Sequence, residues 1–281
     1  MTSKPESGKV SKIRVGVFTF FAVLFAAGSL FLLEGFTEGL MPWVVLGCPG
    51  CESTTTVSLH LWHGAEHGAL LGVLFAGSLI ALLWKPWKKP LLLQFYIAGH
   101  LLLLAFWTHP ALGDVLQKPF VIVVFLANVM ILFFTYPDRK ALLNFKRTEP
   151  CNRTLLILTG IAAIILAPLM WQNLQLQLAG LDEHAQFFRY SESILVSLQL
   201  LLGSLLAATR RSGWKQLTIV IGIAYIYLGL GAITVPYSIG SWGYYGGASA
   251  ILAGASYFAV AVLDKNLSFH KNNPTHVPPA N

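Results

Sequence analysis

The stretch HLWHGAEHGALLGVLFAGSLIALLW, residues 60–84, decides the fold. From Gly68 to Trp84 it holds no ionisable group, and the whole apolar run, 57–84, is long enough at about 1.5 Å per residue to cross a hydrocarbon core of roughly 30 Å. Yet its first eight positions carry His60, His63, Glu66 and His67. Such groups are costly in lipid and normally face a bundle interior or a cavity. One segment therefore points both to a membrane fold and to a site.

The rest of the chain agrees. Of its 281 residues 55% are hydrophobic and only 11% charged, against about a quarter charged in an ordinary soluble domain, and the mean hydropathy is +0.64. Apolar runs recur at 15–33, 57–84, 91–108, 119–136, 154–171, 191–209, 216–235 and 247–263. Inside hydrocarbon only helices and closed barrels satisfy their own backbone, so the expectation is an all-α, polytopic integral membrane protein of about eight transmembrane helices. The first run follows Lys9, Lys12 and Arg14 but continues without a cleavage signal, and it reads as a retained helix.

Charge sets the orientation. With the N-terminus inside, the inner segments 1–14, 85–90, 137–153, 210–215 and 264–281 hold 17 of the 19 Lys and Arg residues, Lys118 and Arg189 being the exceptions. This is the positive-inside bias, and it predicts an N-in/C-in topology in the plasma (inner) membrane. The net charge of +7 is then topogenic, with the lipid bilayer as its partner and no nucleic acid required. The organisation expected is a cytoplasmic segment 1–14, a four-helix half 15–136 with the histidines and an outer cysteine loop, a cytoplasmic loop 137–153, a four-helix scaffold half 154–263, and a disordered cytoplasmic tail 264–281. Gly246, Ala250 and Gly254 recur at the spacing that lets a neighbouring helix approach closely.

At about 100° per residue, His63 lies about 60° and His67 about 20° from His60, a single stripe, with Glu66 about 120° to one side. The short turn KPWKKP (85–90) folds the third run back on the second and sets His67 level with His100, and His60 level with His109. Imidazole binds zinc, copper and iron, and imidazoles from opposed helices ligate haem iron. His67 and His100 are thus candidate haem b ligands, and His60, His63, His67, His100 and Glu66 candidate ligands of Cu, Zn or Fe. His63 and His67 have the i, i+4 spacing of two helical ligands, but HGAEH lacks the zinc-protease order. A membrane histidine also serves as a plain interhelical hydrogen-bond partner. Glu34, ending the first run, is a candidate carboxylate partner, and His184 reads as plain surface.

Cys48 and Cys51 form a C-x-x-C in the outer loop, open to a disulfide, a redox dithiol or a soft metal site. An outer cysteine pair and a second helix bearing Glu and His resemble the haem A synthase type of membrane enzyme. That family carries further haem-ligating histidines on later even-numbered helices, which runs four, six and eight lack, so no residue is carried over from it. Three functions fit: a redox or metal-handling membrane protein, a cation- or proton-coupled transporter with Asn128 and Gln199 along its path, and a non-catalytic subunit assembled with other membrane subunits.

Overall fold

Every apolar run folds as a helix, and the described residues contain no strand. The computed structural model describes residues 11–44, 54–114, 116, 118–147 and 149–264. In chain order the long helices are α1 (Lys12–Leu32), α2 (54–82), α3 (Pro90–Thr108), α4 (Pro119–Thr135), α5 (Arg153–Ala179), α6 (Arg189–Ala208), α7 (Trp214–Thr234) and α8 (Gly243–Leu263). Seven of these are long and apolar enough to cross a membrane, and α4, at 17 residues, is a shorter apolar helix.

Local chemistry sets the boundaries. Pro90 and Pro119 open α3 and α4, where a missing N–H costs nothing. Asn152 caps α5 by accepting from Leu155 N. That helix passes through Pro168 and runs 27 residues, to the left-handed Gly180, well beyond the end expected at 171. In its final turns Asn173 and Gln177 are buried, and Gln177 Nε2 donates to Ala185 O.

Helices α2, α3, α6 and α7 bury more than half of their apolar windows, whereas α1, α5 and α8 bury 22–28%. The four central helices thus come from both halves of the chain. Phe20, Ile164 and Leu252 are exposed on the outer three, the surface a lipid-facing helix presents. Helices α7 and α8 meet through glycines, because a Cβ on Gly247 would lie 2.7 Å from Gly229 O and one on Gly254 2.5 Å from Gly222 O. The contact uses Gly247 rather than Gly246, which faces its own Trp242.

Two wide turns shape the region near the histidines. Helix α2 is α-helical over Thr54–His67, π-helical over Gly68–Ala76 and α-helical again over Gly77–Leu82, while α1 ends in a π-helical turn, Gly28–Leu32. Such turns free backbone groups that neighbours must satisfy, and Ser29 Oγ donates to Leu71 O at 2.8 Å. After α1 the chain reverses at Glu34, which adopts a left-handed φ of 57°, and lies along a glycine face of α2. A Cβ on Gly64 would stand 2.5 Å from Glu38 O, and one on Gly72 2.9 Å from Gly35 O. Tyr227 of α7 fastens the loop by donating its hydroxyl to Gly39 O at 2.5 Å. That packing carries Glu38 to the histidines.

Candidate metal centre

His63 and His67 lie one turn apart on α2, with ring centroids 6.1 Å apart. Glu38 joins them from the loop, and one donor atom from each of Glu38, His63 and His67 falls within 4.8 Å of the others. The orientation of His67 is fixed: its Nε2–H donates to Leu33 O at 2.7 Å. Its Nδ1 then faces two carboxylates, Glu192 Oε1 at 2.6 Å and Glu38 Oε2 at 3.9 Å. A proton or a metal ion on that nitrogen balances the negative charge. A ring N–H anchored on a backbone carbonyl is the usual support of a metal-bound imidazole.

Glu192 and Arg189 reach the site from the first turns of α6. Glu192 Oε2 is 3.2 Å from His63 Nε2 and 3.5 Å from Arg189 Nη1, and Arg189 Nη1 also donates to His63 Nε2. His63 is 3% exposed, and its Nδ1 is buried with no hydrogen-bond partner among the described residues. Glu38 opens a short 3-10 turn, Glu38–Leu40, outside the long helices, and burial raises its carboxyl above the ordinary range despite His67 beside it. The cluster thus gathers two imidazoles, two carboxylates and a guanidinium with little water around them.

The other expected residues stand elsewhere. Glu66 is 2% exposed and accepts from Ser193 Oγ at 2.5 Å, beside the triad rather than in it. His60 stacks on His184, centroids 6.1 Å apart, whereas His109 sits at the end of α3 with its Nδ1 accepting from Ala111 N. His184 is buried rather than surface; with His63, Glu66 and Arg189 it lines a cavity of about 10 Å³, about one water's worth of space. His100 lies apart from His67, its ring 4.2 Å from that of Phe75 and 4.0 Å from that of Tyr96. The carboxylate that reaches the histidines from the first loop is Glu38, not Glu34. Gln199 Nε2 donates to Gly99 O, tying α6 to α3. Cys48 and Cys51 lie outside the described residues.

Glu192 and Arg189 were missed by the sequence reading, although their signal was present. An acidic and a basic side chain three residues apart, at the start of an otherwise apolar helix, are the kind of ionisable residues that mark a site in a membrane segment. The chain matches no family model, no curated protein and no solved structure.

Proposed function

We propose that this is a multi-pass membrane protein that binds one first-row transition metal ion through His63, His67 and Glu38, with Glu192 beside them, for metal-handling or redox chemistry at one end of its helix bundle. The observation that carries this reading is the convergence of three ligand-type atoms within 4.8 Å, together with the anchoring of His67 Nε2 on Leu33 O. Between haem b and a single ion, the geometry favours the ion. His67 and His100 belong to different clusters, whereas His63, His67 and Glu38 offer the two-imidazole, one-carboxylate set that zinc and ferrous iron accept in proteins. The positive-inside charge pattern of the loops supports an outer position for this end of the bundle.

Loading requires one rearrangement. Arg189 donates to His63 Nε2, so for that nitrogen to take the metal the guanidinium must turn fully to Glu192. A second reading, a proton-coupled transporter, is supported by the grouping of the titratable side chains Glu38, His67, Glu192 and His63.

Titration of the detergent-purified, chelator-stripped protein with cobalt(II) separates the two. Stoichiometric ligand-field bands that zinc displaces, and that His63→Ala and His67→Ala abolish, are the expected result. A colourless titration, or bands that survive both substitutions, refutes metal binding here.

A further inference from the structure

A second cavity, of about 270 Å³, lies among α1, α2, α3 and α4; Leu33, whose carbonyl holds His67, lines it, but none of His63, His67, Glu38 and Glu192 does. Its walls are apolar, and its polar end is formed by Tyr96, His100 and Asn128. Its mouth lies on the outside of the bundle, where Leu32 is 83% and Val124 48% exposed. The cavity therefore opens sideways between α1 and α4, onto the surface that faces lipid.

The chemistry of its polar end is specific. His100 is 2% exposed, and its Nδ1–H donates to Tyr96 O at 2.9 Å. In the neutral ring this makes Nε2, on the far side, an acceptor, and it has no hydrogen-bond partner among the described residues. Because His100 lines the cavity, this open acceptor is available to a donor that enters it. Asn128 Nδ2 donates to Tyr96 Oη at 2.9 Å, which leaves the amide a second N–H to give. An acceptor and a donor at the closed end, apolar walls and a lateral mouth match a neutral ring bearing a hydroxyl, with an aliphatic tail left in the bilayer.

We propose that this cavity binds a quinol-type lipophile entering from the membrane, its hydroxyl donating to His100 Nε2 and accepting from Asn128. The volume is just below that of a drug-sized pocket and suits a single ring. A quinone presents only carbonyl acceptors and would set a lone pair against that of His100, so the hydroxyl form is the one selected.

The test is equilibrium binding of a decyl-benzoquinol and the matching decyl-benzoquinone to the full-length protein in nanodiscs, under anaerobic conditions. Saturable binding of the quinol is expected, tighter than that of the quinone by on the order of tenfold, with the preference lost in His100→Leu. Should His100→Leu fail to fold, Gly28→Phe serves instead: a Cβ there meets nothing within 4 Å, so the ring can fill the void without disturbing the backbone, and it should abolish binding of both probes. Absence of saturable quinol binding, equal affinity for the two probes, or binding undiminished in Gly28→Phe overturns the proposal.

Discussion

Glu192 joins the two histidines of α2 from the opposite helix, one carboxylate oxygen 2.6 Å from His67 Nδ1 and the other 3.2 Å from His63 Nε2. Its side chain is 11% exposed, so water can do little to replace it. Removing one partner of such a buried pair typically costs about 3–5 kcal/mol, because the other is left unpaired. Glu192→Ala is expected to lower stability by that order, and Glu192→Gln, which keeps a hydrogen-bonding oxygen, by less. Denaturant unfolding of the metal-free protein in detergent measures both, and an Ala variant as stable as the parent would show that the carboxylate holds nothing together.

The position of Glu38 depends on glycine. A Cβ on Gly68 would strike Gly39 Cα and the Tyr227 hydroxyl, lifting the loop from α2. Gly68→Ala should leave the helix bundle intact and weaken metal binding by tenfold or more, the usual loss when a ligand's support is disturbed. Tyr227→Phe removes only the bond to Gly39 O and should weaken it less. Competition with a chromophoric chelator ranks the three proteins.

Asp182 lies between α5 and α6. Burial pushes its carboxyl up, but hydrogen bonds from Tyr190 Oη at 2.6 Å and from Ala185 N outweigh this and hold it below the usual carboxylate range. A group whose folded-state value is depressed contributes stability above its unfolded value near pH 4, and that contribution disappears as pH falls through the folded value. Asp182→Ala should therefore cost about 1 kcal/mol at neutral pH, the size of a lost N-cap, and progressively less below pH 4. A penalty that grows on acidification would contradict this. Thermal unfolding of parent and variant from pH 7 to pH 3 reads it directly.

The helices were legible because each contains a long apolar run, which in hydrocarbon could satisfy its backbone only as a helix or a closed barrel. The end of α5 was not legible, since Asn173 and Gln177 stop the apolar window, yet both are buried and Gln177 is tied to Ala185 O and Ser191 N farther along the chain. At the site, His63 and His67 could be paired from their i, i+4 spacing alone. Glu38 and Glu192 could not, for they arrive from a loop and a helix far along the chain and are placed by tertiary packing. Hairpin geometry set His100 level with His67, but equal depth does not fix rotation about the helix axis. The structure turns His100 into an aromatic cluster with Phe75, Tyr96 and Phe125.

Metal analysis of the purified protein after reconstitution and desalting, repeated for His67→Ala and His100→Ala, tests the central claim most directly. One transition-metal ion per chain is expected in the parent and in His100→Ala, and none in His67→Ala. A parent protein that retains no ion, or a His67→Ala variant that retains it while His100→Ala does not, contradicts a centre built on His63, His67 and Glu38.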